Sequence, residues 1–74
     1  EENSFKLYPN PSSDFLNIDT DLIDFTVNIY DIKGSLIDSK ANSKRIDIQS
    51  LKPSIYWLEI RSNKTQERVP FVKE

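Results

Sequence analysis

The side chains of this chain that could do chemistry are mainly carboxylates, and several lie close together. The cluster consists of Asp14, Asp19, Asp21 and Asp24. Such a cluster could bind calcium, or pair two carboxylates for the acid–base chemistry of a glycosidase. Calcium needs about six to eight converging oxygens, whereas Asp19-Thr20-Asp21 offers only a fragment of a ligand loop without a spaced glycine. We therefore interpret these residues as turn and cap residues on a solvated rim, and predict no metal and no cofactor.

The other usual catalytic side chains are missing from the sequence. The chain has no histidine and no cysteine, which excludes the usual zinc sites and any Ser-His or Cys-His catalytic arrangement. A chain of 74 residues buries only about 60% of its unfolded surface, which leaves no room for a separate catalytic lobe. The sequence therefore predicts one small domain that is not an enzyme.

Charge and hydropathy exclude two classes of partner. Ten basic and twelve acidic residues give a formal net charge of −2, so no cationic field would attract nucleic acid or an anionic membrane. Apolar runs are only a few residues long, and no segment is predicted to insert into a bilayer. The chain begins with Glu1-Glu2-Asn3-Ser4 rather than with Met or an apolar signal segment. We interpret residues 1–4 as the end of an upstream linker and residues 5–74 as a domain excised from a longer protein.

Short β-rich segments alternate with turn residues along the whole chain. Apolar residues recur with the period of two that a half-buried strand requires. Predicted strands cover about residues 5–8, 15–19, 25–32, 36–39, 45–48, 53–61 and 67–73. About seven short strands with turns at this spacing predict an all-β fold, a sandwich of two antiparallel sheets.

Three of these segments carry more specific expectations. Residues 25–32 have apolar side chains on both faces at the end of the segment, so this strand should be central or should contain a bulge. In the segment from Tyr56, alternation directs Tyr56 into the core and directs Trp57 and Glu59 outward. Pro70 cannot donate to a ladder, so the last strand should lie at a sheet edge.

The turns are specified by proline and glycine. In Leu7-Tyr8-Pro9-Asn10-Pro11, each proline fixes its own φ and biases the preceding residue toward extended conformations. The first strand should therefore end at Tyr8 as a short edge strand. Gly34, the single glycine of the chain, marks the hairpin of residues 31–35 because glycine adopts positive φ without steric penalty.

Four segments, taken in order, resemble one known family. They are Leu7 to Pro11, Val27 to Ile37, Ile46 to Ile60, and Val69 to Glu74. Their order and spacing are similar to the type A C-terminal sorting domain of the type IX secretion system of Bacteroidetes, also called the Por secretion system. The resemblance covers about residues 5–73, nearly the whole chain.

The resemblance implies an Ig-like sandwich of about seven strands that acts as a non-catalytic secretion signal. The domain would guide a covalently fused N-terminal cargo from the periplasm through the outer membrane, by way of the translocon and shuttle protein of the type IX system. A sortase-like protease would then remove it, upstream of the Pro-Asn-Pro turn and at or before residues 1–4, with the cargo anchored at the cell surface. The turn is expected where the cargo linker joins the domain, and the last strand is expected to add to a partner's sheet.

The resemblance also implies a set of recognition and turn residues. These are Leu7, Tyr8, Pro9, Asn10, Pro11, Gly34, Pro53, Tyr56, Trp57 and Lys73. Two positions depart from the family pattern: Ser54 stands where the family usually has glycine, which would strain the chain if φ there is positive, and Pro70 challenges the pairing of the last strand. The alternative function is an Ig-like accessory module that binds carbohydrate or spaces a secreted enzyme.

Overall fold

The computed structural model of the protein describes residues 5–74, which form seven strands. The strands are β1 (Phe5–Tyr8), β2 (Phe15–Thr20), β3 (Thr26–Tyr30), β4 (Leu36–Ala41), β5 (Arg45–Asp47), β6 (Ser54–Arg61) and β7 (Gln66–Lys73). Within residues 5–74, no helix combines the length and the apolar character needed to cross a membrane. The predicted all-β class is confirmed.

The strands form two antiparallel sheets. One has the order β1-β2-β5 and the other the order β4-β3-β6-β7. The core consists of inward apolar side chains, namely Phe5, Leu16, Ile18, Phe25, Val27, Ile29, Ile46, Ile48, Tyr56, Leu58, Ile60 and Phe71. Ten of these residues lie in strands other than β4, at alternating positions where a strand contributes more than one, and Phe25 and Ile48 lie directly next to β3 and β5. The predicted antiparallel sandwich is confirmed.

The connections between strands lie at two ends of the sandwich. We call one the proline end; it contains residues 9–14, 31–35 and 48–53. A bridge between Ser12 and Lys73 shows that the β1–β2 connection and the end of β7 belong to this same end. The opposite end contains the connections of residues 21–25, 42–44 and 62–65.

Strand β3 is central, as one alternative for its two-sided apolar pattern predicted, with β4 on one side and β6 on the other. Its register with β4 shifts between Ile29 and Tyr30, but the extra residue is Ile37 of β4, so β3 itself does not contain the bulge. The predicted segment extended to Ile32, whereas β3 ends at Tyr30 and Ile32 is 66% exposed in the connection to β4.

Pro70 is accommodated because β7 is an edge strand, as predicted. It lies opposite Trp57 in a ladder that continues from Gln66 to Lys73. The N–H of Val72 points away from β6, toward Asn10. Because alternate residues of a strand point the same way, the position of Pro70 also faces away from β6, where a missing N–H disrupts no ladder bond.

Two strands extend further than the sequence predicted. Thr20 of β2 pairs with Phe5, and Ala41 of β4 pairs with Thr26. Asn42, at φ 56°, continues this pairing, because its N–H donates to the carbonyl of Phe25 at 2.8 Å and its Oδ1 accepts the Phe25 N–H at 2.8 Å. Pairing with a neighbouring strand thus extends β2 and β4 into polar residues that alone favour turns.

Replacing Gly34 with alanine should lower the free energy of unfolding by about 1–2 kcal/mol, because an L residue is strained in the left-handed region. Gly34 has φ +90° and an added Cβ would meet no atom within 4 Å, so backbone strain alone is measured. Urea denaturation followed by circular dichroism measures the loss. Ser35→Ala, in the same exposed hairpin, is the control, and equal stability of the two variants would contradict the prediction.

Candidate recognition site

The Pro-Asn-Pro loop contacts the end of the last strand. The Val72 N–H donates to Asn10 Oδ1 at 3.0 Å, and the Ser12 N–H donates to the Val72 carbonyl at 2.9 Å. The Glu74 N–H donates to the Ser12 carbonyl at 2.8 Å. We call this contact, residues 9–12 against residues 72–74, the proline latch. It joins two of the four family-like segments from opposite ends of the sequence.

The latch changes what β7 can offer to a partner. Its outward backbone groups at Val72 and Glu74 are already bonded to residues 10–12, and Pro70 has no N–H to offer. By alternation, the outward groups that remain on β7 are those of Gln66 and Arg68 and the carbonyl of Pro70. The latch therefore limits any addition of a partner strand to the part of β7 before Val72, and addition there stays a prediction.

The other edge of the same sheet, β4, is also protected. The N–H of Ser39 donates to the side-chain Oδ1 of Asp38 at 2.8 Å. A carboxylate that occupies an edge N–H, together with its charge, discourages a second strand from pairing there. One outward N–H of β4 is thus occupied by a side chain of the same strand.

Several of the predicted residues belong to the latch or lie next to it. Pro9, Asn10 and Pro11 are exposed, and the peptide bonds before Pro9 and Pro11 are cis. Tyr8, at the end of β1, is also exposed, whereas Leu7 is half-buried against the core.

Lys73 and Ser54 pair across β6 and β7 beside the latch. Lys73 is buried and its Nζ donates to the Glu74 carbonyl at 2.9 Å, so this residue is part of a strand and not a frayed end. Among residues 5–74, positive φ occurs at Gly34 and Asn42 and not at Ser54. The strain that serine would bear in place of glycine therefore does not arise, and Ser54, next to exposed Pro53, simply begins β6.

Tyr56 supports the latch from the core side. Its ring stacks on Phe71, with centroids 5.6 Å apart and an interplanar angle of 25°. Its hydroxyl donates to the Lys52 carbonyl at 2.6 Å, which resembles the backbone contact of a tyrosine corner. Tyr56 is thus a buried side chain with a satisfied polar group, and it holds the start of β6 against the end of β7.

Trp57 lies on the outer face of the four-stranded sheet, as alternation predicted. Its neighbours across the strands are Tyr30 on β3 and Pro70 on β7. The side chain is 38% exposed, so these neighbours cover it only in part. Gly34 lies beyond Tyr30 in the β3–β4 hairpin, also at the proline end. The predicted residues therefore lie at or near one end of the sandwich, although only Pro9, Asn10, Pro11 and Lys73 belong to the latch itself.

For Glu59, the sequence predicted the face of the sheet but not the burial of the side chain. It lies on the outer face, as predicted, yet it is only 1% exposed because neighbouring polar side chains cover it. Its donors are Asn28 Nδ2 at 3.1 Å, Tyr30 OH at 2.9 Å, Gln66 Nε2 at 2.9 Å and Arg68 Nε at 3.3 Å. Arg61 Nε lies 3.8 Å from its Oε1. We call this group the Glu59 network.

The network keeps its carboxylate ionised. Burial alone would raise the pKa of Glu59, because it removes the charge from water. The side chains that donate to it outweigh this effect and lower the pKa from 4.5 to about 2. No buried side-chain polar atom lacks a hydrogen-bond partner within residues 5–74. The network is therefore fully satisfied, which makes it rigid.

Two further contacts extend this rigidity. The Arg68 guanidinium lies over the Tyr30 ring, 4.4 Å from its centroid. Ser39 Oγ donates to Asn28 Oδ1 at 2.7 Å, which fixes the amide that donates to Glu59. The polar residues at outward positions of these strands were a signal for the network, but their convergence depends on strand order, which alternation does not provide.

The acidic cluster does not converge on a metal. Within the described part of the chain, no group of three or more acidic, histidine or cysteine side chains is placed to hold a metal ion. Asp19 lies within β2 opposite Lys6. Asp21 and Asp24 are exposed at the opposite end, away from the latch.

The chain enters the domain far from the latch. Phe5, the first residue of β1, pairs with Thr20 at the opposite end of the sandwich, and β1 then runs toward Pro9 at the proline end. The expectation that a cargo linker joins the domain at the Pro-Asn-Pro turn is therefore wrong. Residues 1–4, where the cleavage site was expected, lie outside the described residues.

Comparison with known proteins identifies the family of the chain. No curated protein sequence matches the chain. The family described as the secretion system C-terminal sorting domain matches residues 6–74, which include all seven strands except the first residue of β1. The chain therefore belongs to the secretion system C-terminal sorting domains, a non-catalytic family of signals through which the type IX system exports proteins to the cell surface or the extracellular space.

Proposed function

We propose that residues 5–74 direct a cargo protein, fused through residues 1–4, across the outer membrane by way of the type IX translocon and its shuttle protein. The fusion passes through the periplasm, and a sortase-like protease then cleaves upstream of the proline loop, at or before residues 1–4. The cargo is left at the cell surface, and the domain is the substrate of the protease. Membership of the sorting-domain family over residues 6–74 supports this sequence of events.

We further propose that the export machinery recognises the proline end. The observation that carries this proposal is the proline latch, in which Asn10 and Ser12 bond to Val72 and Glu74. The latch creates a composite surface from both ends of the sequence. Such a surface exists only in the folded domain, so recognition would also report that folding is complete.

The position of the cargo supports recognition at this end. Since Phe5 enters the domain at the opposite end, a cargo attached there would extend away from the latch. The principal dimensions of the domain are 31, 25 and 23 Å. A partner could therefore bind the proline end of many different fusions without contacting the cargo. No observation on residues 5–74 favours a carbohydrate-binding or spacer module over this function.

Asn10→Asp is expected to lower surface delivery of a fused fluorescent reporter at least about tenfold, which corresponds to about 1.4 kcal/mol. An aspartate oxygen still accepts the Val72 N–H, so the latch persists. The change removes an exposed amide donor and adds a negative charge where a partner is expected to contact the domain. Cell fractionation and protease accessibility on intact cells of a type IX host measure delivery.

The matched control is Asn63→Asp, the same substitution at an exposed residue of the opposite end. It should leave delivery unchanged, and thermal melting should show that both variants are folded. Equal delivery of the two variants would exclude recognition around Asn10. Loss of type IX dependence for the unmodified fusion, tested in a host without the translocon, would exclude the proposed function itself.

A further inference from the structure

The outer face of the four-stranded sheet is apolar toward the proline end. Trp57 is flanked by Tyr30 and Pro70, and Ile55 lies opposite Val72 in the adjoining row. Ile55 is 51% exposed and Val72 is 40% exposed. These residues are neighbours by register, so they form one patch and not scattered single side chains. A contiguous exposed apolar patch on a small domain indicates an interaction surface.

Two arginines follow this patch along the strands: Arg68 lies in the row next to Trp57, opposite Glu59, and Arg61 lies one row further, opposite Gln66. The side chains of Arg61 and Arg68 are 56% and 49% exposed, and both contact the carboxylate of Glu59. Two guanidinium groups against one carboxylate leave a formal charge of +1 there, whereas the whole chain has −2. The Glu59 network and the Tyr30 ring hold Arg68 in place. Binding would therefore lose little side-chain entropy at this residue.

We propose that this surface, the Trp57 face, docks a folded protein that offers apolar side chains beside a carboxylate. The Trp57 face comprises the outward side chains of Tyr30, Ile55, Trp57, Arg61, Arg68, Pro70 and Val72. The proposal rests on the proposed function, because it assigns the partner to the outer-membrane machinery that handles the domain. The face adjoins Asn10, because Val72 belongs to both the face and the latch, so one partner can contact both.

Charge and composition favour a different protein as the partner over a second copy of this chain. A symmetric dimer through the Trp57 face would bring the same positive patch toward itself, which is unfavourable. A partner carboxylate near Arg61 and Arg68 removes that repulsion. Tryptophan, tyrosine and arginine are also the residues most enriched at the energetic centres of protein interfaces.

The single tryptophan of the chain allows a direct test. The full chain is labelled with 5-fluorotryptophan, which gives one ¹⁹F resonance from position 57, and is titrated with purified type IX shuttle protein and purified translocon. We expect that resonance to shift and broaden with one of the two proteins, and size-exclusion chromatography to show the complex. Added salt should weaken the complex because charges contribute to it.

Matched variants locate the contact. Ile55→Ser should weaken binding about tenfold, as expected for removing most of one buried aliphatic side chain, whereas Ile23→Ser, at a residue 90% exposed at the opposite end, should not. Arg61→Gln should reduce the salt dependence, whereas Lys64→Gln should not.

Three outcomes would overturn the inference. If a complex forms while the ¹⁹F resonance is unchanged, docking uses another face, and the proposed function stands. A shift that depends on the concentration of this chain alone would indicate self-association. Absence of any complex, together with reporter export that does not require the translocon, would overturn the proposed function as well.

Discussion

Replacing Glu59 with glutamine is expected to lower the free energy of unfolding at pH 7 by about 3 kcal/mol. The glutamine amide group would present a donor where Gln66 and Arg68 already donate, so part-buried donors would lose their acceptor. A hydrogen bond to a charged group contributes about 1.5–3 kcal/mol, and more than one such bond is lost. Stability of about 4–11 kcal/mol is usual for a chain of this length, so the loss is a large share. Urea denaturation measures it.

The same substitution should remove a specific pH dependence. The pKa of Glu59 is lowered from 4.5 to about 2 in the folded protein. A lowered folded-state pKa contributes stability that is complete above about 4.5, the unfolded value, and is lost as the pH falls toward 2. The shift corresponds to stabilisation on the order of 3 kcal/mol. Stability curves of the protein and of Glu59→Gln should therefore converge as the pH falls through this range.

Asp21→Asn is the control for both measurements, because it neutralises an exposed carboxylate of the described chain. It should change stability by less than about 0.5 kcal/mol and keep the acid dependence. If Glu59→Gln were as stable as Asp21→Asn at pH 7, the network would not stabilise the domain. If the stability curves of the unmodified protein and of Glu59→Gln stayed parallel from pH 5 to pH 2, the lowered pKa of Glu59 would be excluded.

Deleting residues 69–74 is expected to leave a fused reporter folded but retained in the periplasm. The deletion removes Phe71, which is 1% exposed and stacks on Tyr56. Loss of a buried phenylalanine alone costs about 3–5 kcal/mol. It also removes Val72 and Glu74, the partners of residues 10–12 in the latch. Fractionation and protease accessibility on intact cells measure where the reporter is.

Phe71→Ala separates the loss of core packing from the loss of the latch, because it removes the core side chain and keeps every residue of the latch. If folding is what export requires, Phe71→Ala should be retained as strongly as the deletion. If the export machinery recognises the latch residues even when the domain is unfolded, Phe71→Ala should be exported while the deletion is not. Normal surface export of the deletion would contradict recognition of the C-terminal segment altogether.

The fold was largely predictable because local patterns determine it. Alternation in each segment assigned inward residues such as Leu58 and Ile60, and both are buried. Pro70 predicted an edge strand and Gly34 a hairpin, because each residue acts on its own backbone. The ends of β2 and β4 were less predictable, since pairing partners such as Phe5 and Thr26 extend these strands.

The candidate site was predictable as a set of residues but not as an arrangement. The family-like segments pointed to Asn10 and Lys73, yet only the fold brings Asn10 to Val72, because the contact joins a loop of one sheet to a strand of the other. Alternation directed Glu59 outward and therefore indicated an exposed side chain. Its burial depends on Asn28 and Arg68 from two neighbouring strands, and strand order is a non-local property.

By itself, the sequence determined the strand class, the turns at Pro9 and Gly34, the absence of histidine and cysteine chemistry, and the resemblance to a sorting domain. Each of these depends on residue types and on segments read along the chain, and none requires knowing which strands pair. Only the tertiary structure decided that residues 10–12 cover the end of β7, that Glu59 is a buried anion, and that Phe5 enters opposite the latch. These features depend on which strands lie side by side, and that is selected by the free energy of the whole domain.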